Sequence, residues 1–129
     1  RVISNFVYQA LKNEPLTVYG DGNQTRSFCY IDDLLEGLIL LINSDYKGPV
    51  NLGNPNEYKV KDVAEIIIDK TSSSSIINNL DLPVDDPKRR CPDISLAKEQ
   101  LGWEPKINLL TGLKHTVDWM LEEYMDDFK

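Results

Sequence analysis

At 129 residues, with 41% hydrophobic and 27% charged side chains, the chain can build one modest globular core, so one domain is the expectation. The longest apolar run, residues 38–42, falls far short of the roughly 18 residues of a membrane span, and residues 1–6 carry no signal-peptide pattern. A formal net charge of −7 argues against nucleic-acid or anionic-membrane partners, so an anionic ligand must be caught by a local basic cluster.

Ile3, Phe6, Val7, Ala10 and Leu11 recur at helical spacing and predict an amphipathic first helix, stopped by Glu14-Pro15. It starts at Arg1 without an initiator Met, so the chain reads as part of a longer protein. Residues 16–19 predict a short strand closed by the turn Gly20-Asp-Gly-Asn23, and residues 27–31 predict a second strand after the polar stretch 24–26. Asp32 or Asp33 can cap a helix over 34–42, whose apolar residues leave almost no polar face; this helix is expected to be buried on most sides, against a neighbouring domain.

Residues 49–53 predict a strand ending in glycine. Val60, Val63, Ala64, Ile67 and Ile68 mark another helix, with Lys59 where a Ser or Thr cap is usual. Residues 72–75 form a polar loop, Ile76-Ile77 a brief strand, and the proline-rich stretch to Pro92 an extended segment. Ser95 can cap a short helix ended by Gly102, and Asn108 opens a last helix in which Leu110, Leu113, Val117, Met120, Leu121 and Tyr124 face the core. The fold class is α/β: helices with short strands.

Several chemistries are excluded or weak. His115 is the only histidine, which removes the usual base of a nucleophilic triad and, with two distant cysteines, any four-ligand zinc site. Cys29 and Cys91 read as ordinary thiols. Gly20-Asp-Gly22 lacks the third glycine of a dinucleotide loop and leads into a strand, so it is a turn. Tyr8 and Lys12 match a Tyr-x3-Lys pattern, but nothing nearby supplies a cofactor, and the pair reads as a decoy. Asn23-Gln-Thr25 is a glycosylation triplet without an export signal. Arg26, after the glycine turn, and Lys88-Arg89-Arg90, stiffened by flanking prolines, could each meet a phosphate; on the residues alone surface salt bridges are the favoured reading.

Taken together, Pro15-Leu-Thr-Val-Tyr-Gly-Asp-Gly-Asn-Gln-Thr-Arg-Ser-Phe28, Tyr30-Ile-Asp-Asp-Leu34, Val50-Asn-Leu-Gly-Asn54, Arg90-Cys-Pro-Asp-Ile94 and Leu101-Gly-Trp-Glu-Pro105 resemble the C-terminal part of extended short-chain dehydrogenases acting on nucleotide sugars. Within that epimerase/dehydratase superfamily the resemblance is nearest to the UDP-glucuronic acid decarboxylases, or UDP-xylose synthases. It implies that residues 1–129 are one C-terminal substrate-binding domain, with the Rossmann domain that holds NAD and carries the catalytic Tyr-x3-Lys pair lying mostly upstream. No catalytic and no metal-binding residue then falls in this chain. By position, Arg1 resembles the arginine near the cofactor; Val2, Ser4 and Asn5 belong to the segment beside the sugar nucleotide. Thr17, Val18 and Tyr19 resemble the strand that flanks the uracil, Gln24 a ribose or phosphate contact, and Arg26 and Arg90 the two arginines gripping the diphosphate; only the resemblance reverses the salt-bridge reading of these two. Cys91 stands where relatives often have a basic residue.

The resemblance further implies oxidation of the substrate at C4 by NAD, loss of CO2 from the 4-keto acid, and reduction at C4 by the same NADH. UDP-glucuronate is the implied substrate and a homodimer the implied state, with cytosol and Golgi lumen both open and the cytosol favoured. The chain alone is expected to be inactive. The rival readings are a dTDP-glucose 4,6-dehydratase or UDP-sugar 4-epimerase and, in another class, a non-catalytic nucleotide-sugar-binding or interaction module.

Overall fold

The computed structural model describes residues 1–128, the side chain of Met125 aside. In chain order the elements are α1 (Val2–Leu11), β1 (Leu16–Tyr19), β2 (Thr25–Ser27), α2 (Ile31–Ile42), β3 (Glu57–Lys59), α3 (Val60–Lys70), β4 (Ile77–Leu80), α4 (Ser95–Leu101) and α5 (Leu109–Glu123), followed by a 3-10 turn, Met125–Phe128. They divide into two compact units: unit 1 is Arg1–Thr25, Tyr58–Arg89 and the chain from Leu113 onward, and unit 2 is Arg26–Glu57 with Arg90–Gly112.

Unit 1 is built on the parallel pairing of β1 with β4, in which Leu16 faces Ile77 and Val18 faces Asn79. The alternation of β1 is clean: Leu16 and Val18 are fully buried and Tyr19 is exposed, as a strand with one covered face requires. Phe6, Val7 and Ala10 of α1 and Val60, Val63, Ala64 and Ile67 of α3 are buried at the helical spacing that the sequence shows. The glycine turn after β1 is obligatory at Gly22, where φ is +76° and a Cβ would lie 2.7 Å from the Lys61 Cβ. The serine loop after α3 is tied down: Ser73 Oγ donates to the Ala10 carbonyl at 2.6 Å, and Ser75 Oγ to the Glu14 carbonyl at 2.6 Å. The Tyr8 ring meets Phe128 edge-on at 5.5 Å while the Lys12 ammonium lies 5.2 Å over it, so this pair is engaged in packing.

Unit 2 differs from its sequence reading in three places. The strand expected over 27–31 is β2, ending at Ser27, and α2 begins at Ile31 without a side-chain cap. Asp32 and Asp33 lie inside its first turn, where the helix dipole favours negative charge. Asp33 is buried, and its Oδ2 accepts the backbone N–H groups of Lys106 at 3.1 Å and Ile107 at 2.9 Å. A carboxylate read as a cap therefore anchors a distant loop. Second, residues 49–53 join no ladder; they are held by side chains. Third, α2 buries only Asp33 and Gly37, and Ile31, Leu35, Leu38, Ile39, Leu40 and Ile42 are exposed.

The core of unit 2 is Ile94, Ala97 and Trp103, with Cys29, Val50, Leu52 and Leu101 against it. Trp103 Nε1 donates to the Asp33 carbonyl at 2.9 Å. At α4 the capping role falls on Asp93, which accepts the Ser95 N–H and hydroxyl, with Ser95 itself already helical. Those two bonds hold the Asp93 carboxyl below the usual range. Gly102 ends α4 at φ +62°, and Asn108 Oδ1 accepts the Thr111 N–H at 2.8 Å, both as expected. Along α5, Leu113, Val117 and Met120 are buried, whereas Leu110, Leu121 and Tyr124 are exposed, so the apolar stripe is narrower than the sequence suggests.

Candidate functional site

The two basic positions of the sequence, Arg26 and Arg90, line one cavity of unit 2, about 420 Å³ in volume. Its other walls are Ser27, Cys29, Asn51, Leu52, Gly53, Asn54, Cys91 and Pro92, and none of these is a carboxylate. A concave surface lined by two arginines is suited to an anion with several oxygens, because a guanidinium fork can make two parallel charge-assisted bonds.

The wall carrying Arg90 is pinned along its length. Ser27 Oγ donates to the Arg90 carbonyl at 3.3 Å, the Cys91 thiol to the Pro55 carbonyl at 3.3 Å, and Asn51 Nδ2 to the Asp93 carbonyl at 3.3 Å. Close approach at the centre requires Gly53, where a Cβ would lie 2.9 Å from the Pro92 Cγ. The prolines at 87 and 92 restrict the same segment from within. Both cysteines are free and half-buried. Burial, reinforced by the Asp33 carboxylate, pushes the Cys29 thiol up. That keeps it neutral and unreactive.

The remaining residues suggested by the sequence lie in unit 1. Arg1 stands exposed ahead of α1; Ser4 and Asn5 are exposed on its first turns and Val2 is half-buried. Thr17 is fixed by Gln9, whose Nε2 donates to the Thr17 hydroxyl at 2.6 Å and whose Oε1 accepts the Thr17 N–H at 3.2 Å. The Val18 side chain is wholly in the core, so only its backbone can meet a ligand. Tyr19 presents its ring to solvent, and Gln24 Nε2 donates to the Tyr19 carbonyl at 2.9 Å, holding turn and strand together. Among the described residues no group of three potential metal ligands converges, and no helix is long and apolar enough to cross a membrane.

Sequence reasoning missed Asn54 and Cys29 as cavity walls. The signal was present in Gly53-Asn-Pro55: a glycine after an apolar run, then an Asn before Pro, is a turn that fixes an Asn side chain.

Comparison with known proteins agrees with the resemblance. Residues 1–116 match the family described as GDP-mannose 4,6-dehydratase. UDP-glucuronic acid decarboxylase 1 of Arabidopsis thaliana is 52% identical over 117 residues, covering 91% of this chain and 27% of the plant protein. UDP-glucuronic acid decarboxylase 1 of Danio rerio is 50% identical over 123 residues, covering 95% of this chain and 29% of the fish protein. The chain thus spans between a quarter and a third of the length of these curated relatives. Among solved structures, UDP-glucose 4-epimerase of Thermotoga maritima, determined with UDP-glucose, superposes with a TM-score of 0.91 at 27% identity, covering 96% of this chain and 40% of that one. UDP-glucuronic acid 4-epimerase of Bacillus cereus, determined with NAD, does so at 0.84 and 28%, with the same coverage.

Proposed function

The chain belongs to the GDP-mannose 4,6-dehydratase family, and from that premise we propose that it is the nucleotide-sugar-gripping part of an NAD-dependent UDP-glucuronate decarboxylase that forms UDP-xylose and CO2. The observation that carries this reading is the single cavity lined by both Arg26 and Arg90. The half-identical relatives carry the choice of reaction.

Arg26 and Arg90 hold the diphosphate. In a chain of net charge −7, long-range attraction works against a dianion, so binding rests on short charge-assisted contacts, each worth about 1.5–3 kcal/mol. The resemblance further suggests Thr17, Val18, Tyr19 and Gln24 as nucleoside contacts, Val2, Ser4 and Asn5 as neighbours of the sugar, and Arg1 as a cofactor contact. In this reading the dinucleotide is held mainly by the rest of the enzyme, as the resemblance implies. Bound there, NAD would supply reversible hydride chemistry at the sugar C4.

The test is turnover of UDP-glucuronate by the complete protein with NAD, following CO2 and UDP-xylose. Equal yields of the two are expected. UDP-galacturonate without CO2 would instead make the protein an epimerase, and UDP binding without turnover a binding module. Calorimetry with UDP should show Arg90→Ala raising Kd about tenfold or more. Arg90→Lys should do nearly the same, because the charge stays but the fork is lost. Arg89→Ala, outside the cavity, should do little; if it costs more than Arg90→Ala, the assignment is one residue out of register.

A further inference from the structure

One wall residue of the cavity, Asn54, has no role assigned to it by the resemblance. Asn54 is 8% exposed and lines the wall opposite no acid. Its Oδ1 accepts the Asn56 N–H at 2.9 Å in the turn made by Pro55. The atom accepting from a backbone N–H must be the carboxamide oxygen, so this bond also decides where the nitrogen goes. Among the described residues Nδ2 donates to no acceptor, yet no buried side-chain nitrogen or oxygen is left without a partner. Nδ2 is therefore not wholly sealed in the interior and keeps some accessible surface. An amide held in one orientation by a backbone bond and presenting two N–H groups costs little entropy to use.

We infer that Asn54 is a ligand-binding residue whose Nδ2 donates to a phosphate oxygen of the nucleotide diphosphate held by Arg26 and Arg90. This rests on the diphosphate reading of the cavity. It completes a set of donors in which the arginines supply charge and Asn54, the only one of the three built on a tight turn and nearly buried, supplies a fixed direction. The bond is neutral to charged, strong enough to register in affinity when removed.

The informative variant is Asn54→Asp in the complete protein. Aspartate is isosteric and keeps the oxygen that accepts the Asn56 N–H, so the turn survives, while two donors become a negative charge facing phosphate. Calorimetric Kd for UDP should rise by about tenfold or more, and the effect should shrink as salt is raised. Uridine, which lacks phosphate, should bind as it does to the unchanged protein. Unaltered UDP affinity overturns the inference, and so does an equal loss of UDP and uridine, which marks a purely structural role. If the variant does not fold, a crystal structure of the unchanged protein with UDP decides: Nδ2 within hydrogen-bond distance of a phosphate oxygen supports the contact, and any greater separation overturns it. Arg90→Ala keeps the two readings apart. If it weakens UDP binding and Asn54→Asp does not, only the Asn54 contact fails; if neither does, the cavity is not the diphosphate site.

Discussion

Unit 1 and unit 2 carry similar apolar sequence and treat it oppositely. In unit 1 the apolar positions of α1, β1 and α3 are buried, with Val7, Leu16, Val18, Val63 and Ile67 all sealed from solvent. Unit 2 has a core of three residues around Trp103 and leaves the richest apolar helix of the chain, α2, with Ile39 59% and Ile42 78% exposed. Apolar residues at helical spacing show that a face is to be covered; only a neighbouring element determines whether it is. The cavity lined by Arg26 and Arg90 lies in the unit with the smaller core, where its walls are held by hydrogen bonds and prolines more than by packing.

The largest test of this contrast is Trp103→Ala. It removes the hub of the unit 2 core and the bond to the Asp33 carbonyl, and should cost about 3–5 kcal/mol. Native-state hydrogen exchange should show the α4 amides losing protection while those around Val63 and Ile67 keep theirs. Equal loss in both would show that the two units unfold as one, and would break the comparison.

Next come two glycines with positive φ, one in each unit. Gly22→Ala places a methyl 2.7 Å from the Lys61 Cβ and 2.9 Å from the Val18 Cγ1, and should cost about 2–4 kcal/mol. Gly102→Ala meets nothing within 4 Å and should cost only about 1 kcal/mol, the backbone penalty alone. Urea unfolding of both variants measures the difference, and a larger loss at Gly102 would show that crowding at Gly22 is relieved by small shifts.

Smaller still is Ile39→Lys on the exposed face of α2. Stability should change by no more than about 0.5 kcal/mol, while binding of an apolar dye by the 129-residue chain should fall. A strictly monomeric chain with low dye binding before any substitution would remove the reason for the Ile39 experiment.

The smallest effect concerns Cys29. Its thiol is raised by burial and then by Asp33, so at pH 8 less of it is thiolate and iodoacetamide should label it more slowly than free cysteine, as peptide mass spectrometry would read. The sign follows from linkage. A raised folded value leaves stability intact below the ordinary thiol range and erodes it as pH climbs through that range, because the unfolded chain then gives up the proton first. Labelling faster than free cysteine would contradict the burial of this cavity wall.

Much of the molecule was legible from the chain alone. The spacing of Phe6, Val7 and Ala10, the four residues of β1, the turn at Gly20 and Gly22, the Gly102 stop and the Asn108 cap all depend on neighbours a few positions away, where backbone sterics and local hydrogen bonds decide the outcome. The two arginines were legible as basic points in an acidic chain. That they line one cavity was not, because Arg26 and Arg90 are brought together only when Ser27 bonds the Arg90 carbonyl and Gly53 admits Pro92. The same holds for Asp33. Its place beside a helix start suggested a cap, and its use as acceptor for Lys106 and Ile107 arises from a loop more than seventy residues away. Asn54 shows both halves at once: the sequence determined its turn through Pro55, and the tertiary structure decided that it lines the same cavity as Arg26 and Arg90, because long-range packing, and no local rule, brings distant segments to a common wall.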